Sequence, residues 1–262
     1  MKSVIFFDID GTLVSEDGLF TIPESTVTAI ELTRKKGNLT FINTGRTEFN
    51  VNEKVRQLGF DGIICGCGTY IEYNGETLFY NKLSQDFCRE TAELLRKCRV
   101  TPVYEHRDGY FFDDKAPAIP ALDDFLENFV DEGIDISGRV EDIDFVFDKF
   151  VVWESVSSDM ELFRNEISKN FDIIDRGHGF YENVPSGFSK ATAIEFILKK
   201  LNIPLANAYA VGDSANDLPM LKAVPNSIAM GGAEAIYPYV SYITTSLADN
   251  GIYNALRYYG LI

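Results

Sequence analysis

Val4-Ile5-Phe6-Phe7 places four apolar residues in a row and then stops at Asp8. An apolar run this short, rich in β-favouring residues, predicts a strand buried on both faces. The period then changes. Residues 23–36 predict a helix, with Pro23 in the first turn, Arg34, Lys35 and Lys36 in the last, and Gly37 as the stop. A second strand follows at 39–43, a helix over 46–58 closed by Gly59, and a third strand at 62–66. Towards the other end, Ala191, Ile194, Ile197, Leu198 and Leu201 mark one face of a helix. A strand at 208–211, a short helix at 216–221 and a strand at 227–230 complete the rhythm. Strands alternating with helices predict an α/β fold built on a doubly wound parallel sheet.

The middle of the chain breaks this rhythm. Strand-like runs at 70–73 and 77–80 flank Asn74-Gly75, a hairpin signal. From 82 to 186, helical patterns mix with strand pieces at 101–104, 110–112, 149–153 and 180–183. This predicts a second, α+β domain at 82–186 inserted into a core made of 1–81 and 187–262. Within the insert, Cys88 and Cys98 share an apolar helical stripe with Phe87, Thr91, Leu94 and Leu95 and read as core packing.

Composition narrows the functional classes. The 262 residues suffice for a large domain or two modest ones, and 45% hydrophobic with 24% charged residues is an ordinary globular balance. No apolar run has the length of a membrane span. The N-terminal run lacks the apolar centre and cleavage site of a signal peptide, so a cytoplasmic protein is expected. A net charge of −16 argues against nucleic acid and anionic lipid as partners. Any anionic substrate therefore needs cations fixed at the site itself. Cys65 and Cys67 form a C-x-C, but the two histidines, His106 and His178, stand in no zinc-type spacing with them.

Three strands run directly into polar residues that carry chemistry: Asp8-Ile9-Asp10-Gly11-Thr12, Thr44-Gly45-Arg46, and Gly212-Asp213-Ser214-Ala215-Asn216-Asp217. In a parallel sheet these ends share one edge, where ligands bind. Asp8 and Asp213 can hold a hard cation through oxygen, the ligation Mg²⁺ prefers. A carboxylate facing phosphorus there can serve as a nucleophile. Gly11 ends the strand in a turn, from which Asp10 can reach a leaving oxygen as general acid and later activate water. Thr44, with the adjacent Gly45 N–H, can hold a phosphoryl oxygen. Lys190, after the N-cap candidate Ser189, sits where a helix disfavours a cation, yet it would complete an anion site. Each piece also has a plainer reading. Asp-x-Asp-Gly-Thr can be a capped turn, Gly212-Asp213-Ser214 an N-cap, and Lys190 a surface lysine.

Taken in order, these motifs resemble the haloacid dehalogenase superfamily, and within it the Cof-like phosphatases that carry a type IIB cap. The resemblance spans essentially the whole chain. It implies Asp8 as nucleophile and Asp10 as acid/base, with the Asp10 backbone carbonyl also ligating the metal. It further implies Thr44 and Lys190 as phosphate-binding groups, Asp213 as a Mg²⁺ ligand, Asn216 at the phosphate and Asp217 supporting the metal's water shell. The chain departs from the common pattern at Cys67-Gly68-Thr69 and at Met230-Gly231-Gly232-Ala233. The expected activity is Mg²⁺-dependent hydrolysis of small phosphorylated metabolites, sugar phosphates foremost, through an aspartyl-phosphate. A phosphomutase or phosphotransferase on the same scaffold, or a module that binds phosphometabolites without turnover, are the alternatives. In the insert, His106, Arg107, Asp108, Arg176, His178 and Tyr181 are polar candidates for specificity.

Overall fold

The computed structural model describes residues 2–131 and 133–262. The chain forms two compact units. The first takes the residues up to Gly45, Val51–Tyr80 and Phe188–Ile262, and the second takes Arg46–Asn50 and Asn81–Gly187.

The first unit opens with β1 (Val4–Phe7), all four residues buried, followed by α1 (Glu24–Lys35) and β2 (Leu39–Asn43). Of the helix expected over 46–58, only the single turn α2 (Glu53–Arg56) forms. Two local facts explain the correction. Asn52 caps α2, its side chain accepting from the Lys54 amide at 2.8 Å, so the helix starts there. Upstream, residues 46–50 pack with the second unit, through Glu48 paired with Arg107 at 2.8 Å and Phe49 edge-on to Tyr110. Tertiary contacts thus override a weak helical pattern. Next come β3 (Gly62–Cys65), β4 (Tyr70–Tyr73) and β5 (Glu76–Tyr80). Asn74 and Gly75 join the last two with φ of +52° and +78°, the pair of positive values that a tight hairpin demands.

The second unit continues with α3 (Gln85–Cys98), β6 (Thr101–His106), β7 (Gly109–Phe112), α4 (Pro120–Asp131), β8 (Lys149–Trp153), α5 (Met160–Ile167), β9 (Phe171–Asp175) and β10 (Phe180–Pro185). Its five strands form an antiparallel sheet in the order β7-β6-β8-β10-β9. Cys88, Ala92, Leu95 and Cys98 of α3 pack with Phe163 and Ile167 of α5 against Tyr104, Phe150 and Val152. Phe129 of α4 packs with Val103, Tyr110, Phe112 and Val151. All four cysteines are buried.

The first unit resumes with α6 (Lys190–Leu201), β11 (Ala208–Gly212), α7 (Leu218–Ala223), β12 (Asn226–Ala229), β13 (Tyr242–Ile243) and α8 (Gly251–Tyr258). The short helix expected at 216–221 is displaced, because a 3-10 turn at Ala215–Asp217 precedes α7. Eight strands form one sheet in the order β13-β12-β11-β1-β2-β3-β4-β5. It is parallel from β13 to β3, with β4 and β5 antiparallel at the far edge. Ile5 and Phe7 of β1 face a core shared with Ala29 and Ile30 of α1 and Ile252, Ala255 and Leu256 of α8. Val4 and Phe6 face the other side, with Ile194 and Ile197 of α6 and Met220 of α7. Helices on both faces make this the doubly wound α/β fold that the sequence predicts. No helix among the described residues is long and apolar enough to cross a membrane.

Candidate active site

The strand order sets β1 between β11 and β2, so three of the sequence-predicted segments leave adjacent strand ends on one edge. Asp8 follows β1 directly, is 3% exposed, and its amide extends the ladder by donating to the Val211 carbonyl at 3.1 Å. The chain then turns tightly, with the amides of Thr12, Leu13 and Val14 all donating to the Ile9 carbonyl. Gly11 makes this turn with φ +69°, and a Cβ there would lie 2.2 Å from Asp213 Oδ2. Only glycine fits both the backbone and the approach of that carboxylate. Asp10 sits in the same turn, half-buried. Thr12 Oγ1 donates to Asp213 Oδ1 at 3.4 Å. At the end of β2, Thr44 is buried, its amide donating to Ile64 and its carbonyl accepting from Cys67. Gly45 follows, half-buried.

Lys190 is the first residue of α6. Ser189 caps the helix by accepting from the Thr192 amide at 3.1 Å, while Thr192 Oγ1 accepts from the Ser189 amide at 2.9 Å. The lysine is 2% exposed, and its Nζ donates to Asp8 Oδ1 at 2.7 Å and to Asp217 Oδ1 at 2.6 Å. The surface-lysine reading therefore fails. A charge disfavoured by the helix dipole is held by two buried carboxylates. Asp217 is fully buried, and its other oxygen accepts from the Asp213 and Ser214 amides at 2.9 and 3.2 Å. It thereby ties the lysine to the loop that carries Asp213. Gly212 leaves room for it, since a Cβ there would fall 2.5 Å from Asp217 Oδ2. Asn216 is half-buried, and its side-chain oxygen accepts from Ser214 Oγ.

The electrostatics follow from this crowding. Burial first, then the charge of Asp217, push Asp8 up to about 7 against the pull of Lys190. Burial, with Asp217, Asp8 and Glu16 adding to it, pushes Asp213 up to about 8. Burial alone would lower Lys190. The charges of Asp217 and Asp8 outweigh it and hold the ammonium well above its ordinary range. Asp8, Asp213 and Asp217 each offer an oxygen within 4.8 Å of the others. Mutually repelling carboxylates with an all-oxygen donor set fit a hard divalent cation. Asp8 and Asp213 are the members suited to hold it, because both oxygens of Asp217 are already engaged by Lys190 and by backbone amides.

One contributor escaped the sequence reading. Asn43, the last residue of β2, is buried and bonds the backbone of Lys190. Its only sequence signal is a polar residue closing an apolar strand. The polar candidates of the second unit are largely committed there. Tyr181 is buried, donating to Glu154 at 3.1 Å and accepting from Arg164 at 3.0 Å. Arg176 pairs with Glu182, Arg107 with Glu48, and His106 lies 3.5 Å from Asp108. His178 is exposed, at φ +54°.

Known proteins share this plan. The chain is 26% identical to the 5-amino-6-(5-phospho-D-ribitylamino)uracil phosphatase YcsE of Bacillus subtilis, over 98% of this chain and 96% of the relative. A hypothetical protein from Geobacillus kaustophilus superposes with a TM-score of 0.85 at 25% identity, covering all of both chains. A sugar phosphatase of haloacid dehalogenase subclass IIB does so with a TM-score of 0.80 at 24% identity, again over both whole chains. The family profile for haloacid dehalogenase-like hydrolases matches residues 5–256, from within β1 into α8. With that match running through every segment of the strand-end site, the chain belongs to the haloacid dehalogenase-like hydrolases.

Proposed function

We propose that the protein is a magnesium-dependent phosphatase of small phosphorylated metabolites, working through an aspartyl-phosphate on Asp8. The observation that carries this reading is the buried Asp8 carboxylate, bonded to Lys190 at 2.7 Å on the strand edge that also holds Asp213. Asp8, Asp213 and the Asp10 carbonyl would ligate Mg²⁺, which when bound offsets the repulsion between carboxylates and phosphate.

The chain's own residues divide the remaining work. Thr44, the Gly45 N–H, Asn216 and Lys190 receive the phosphoryl oxygens. An Asp8 oxygen attacks phosphorus in line, so the P–O bond to the substrate breaks as the acyl phosphate forms. Asp10, protonated, gives its proton to the departing alkoxide, which leaves as an alcohol. The resulting carboxylate then takes a proton from water, whose oxygen attacks phosphorus and releases phosphate and free Asp8. Charge spread over the transferring group makes fixed cations and amides the main source of rate.

Residues 82–186 act as the inserted cap in this reading, and the setting is cytoplasmic. Sugar and polyol phosphates are the favoured substrates. The similar proteins named above include a sugar phosphatase and a phosphatase of a phosphoribityl compound. Phosphate release should be assayed over sugar, polyol and nucleoside monophosphates, with and without Mg²⁺. Mass spectrometry after a rapid acid quench should find phosphate on the peptide that contains Asp8. The Asp8→Asn protein should fold and lose turnover, and full activity in it would overturn the mechanism.

A further inference from the structure

We infer that Asn43 is a positioning residue for Lys190, holding the first carbonyl of α6 against the end of β2 so that the ammonium stays between Asp8 and Asp217. This rests on the phosphatase reading above. Asn43 is fully buried on the face of β2 that packs towards α6 and α7. Its Nδ2 donates to the Lys190 carbonyl at 2.9 Å and lies 3.7 Å from Met220 Sδ, a weak acceptor. Chemistry fixes the amide orientation, because turning it over would set Oδ1 against the Lys190 carbonyl, acceptor to acceptor.

In that orientation Oδ1 has no partner among the described residues. A buried amide left half satisfied is a poor choice for stability, and an aliphatic side chain of similar volume would suit the apolar surroundings better. What the asparagine supplies is a directional bond to one backbone atom. That atom belongs to the lysine whose side chain spans the two carboxylates at 2.7 and 2.6 Å. The register adds to the case: Phe7 pairs with Ile42, so the chain enters Asp8 and Asn43 side by side from β1 and β2. One strand end thus carries the nucleophile, and its neighbour sets the backbone of the cation that faces it. A misplacement of about 1 Å in a catalytic group can cost on the order of a hundredfold in rate.

The test is Asn43→Leu, with Asn43→Ala read in the same way if the leucine protein does not fold. Two readouts are taken on the folded variant. Steady-state kinetics should show kcat lowered by roughly tenfold or more with KM changed by less than about threefold, the split expected when transition-state charge balance is lost. In ¹⁵N-lysine-labelled protein, the slowly exchanging ammonium resonance of Lys190, assigned by its absence in Lys190→Met, should shift or broaden. Unchanged kcat overturns the proposal. So does a general loss of activity with the Lys190 resonance intact, which would mark a merely structural role. If wild-type protein releases no phosphate from any ester, the phosphatase reading falls. The Asn43 assignment is then decided by the resonance alone.

Discussion

At Gly11 the site leaves no room for a side chain. The residue has φ +69°, and a Cβ would intrude to 2.2 Å from Asp213 Oδ2. Gly11→Ala should therefore move the Asp213 carboxylate as well as strain the turn. The expected result is a protein destabilised by about 1–2 kcal/mol that also needs much more Mg²⁺ for half-maximal turnover. A Mg²⁺ titration of turnover beside a urea melt separates the two effects. At this scale the chain was legible where residue type and strand-end position carry the information, as at Asp8, Asp213 and Gly11. Lys190 was ambiguous from position alone, because a helix N-terminus disfavours it; its two carboxylate partners lie 182 and 27 residues away. Asn43 was not legible, since spacing cannot encode a bond to a carbonyl 147 residues distant.

Among elements, α6 links stability to chemistry. Its capping box, Ser189 with Thr192, brackets Lys190. Ser189→Ala should cost about 1 kcal/mol, measurable by urea denaturation, and should lower turnover beyond what the stability loss explains. The sheet of the second unit holds a different device. Lys149 Nζ contacts Glu182 Oε1 at 2.6 Å and Glu105 Oε1 at 3.4 Å, all three residues buried, and Arg176 joins Glu182. Burial alone would raise Glu182, but Lys149 and Arg176 outweigh it and hold the carboxylate down at about 2. Because the folded value lies below the unfolded one, this contribution is present above about pH 4.5 and is lost as pH falls towards 2. Glu105 runs the other way, raised chiefly by burial, so it offsets part of the gain. The melting temperature should fall between pH 5 and pH 2, and Glu182→Gln should flatten that dependence. Elements with a strong local signal, such as the apolar run of β1 and the marked ends of α1, could be read from the sequence. The 46–58 segment could not, because Glu48 and Phe49 are claimed by partners in the second unit.

Over the whole molecule, 40 acidic residues outnumber 24 basic ones. Long-range attraction of anions is therefore weak, and charge balance must be local. Removing divalent ions with EDTA should abolish turnover and lower the melting temperature, and added Mg²⁺ should restore both, since an ion bound only to the native state stabilises it. Turnover that persists in EDTA would count against a metal. The doubly wound architecture was legible because β-α alternation is a coarse signal, repeated at both ends of the chain. The central position of β1 has a further consequence, for biosynthesis. Val4 pairs on one side with Leu39 but on the other with Ala208. At ribosomal rates of ~5–20 residues per second, β1 waits on the order of 10–40 s with one hydrogen-bonding edge uncovered. The five strands of the second unit are all synthesised by Pro185, before β11 exists. A bare apolar strand edge invites pairing with other chains, so during the waiting interval the nascent chain is open to mispairing. A nascent chain halted before residue 208 carries Asp8 without the strand that brings Asp213 to it, and offers its neighbours an adhesive edge instead of an assembled site.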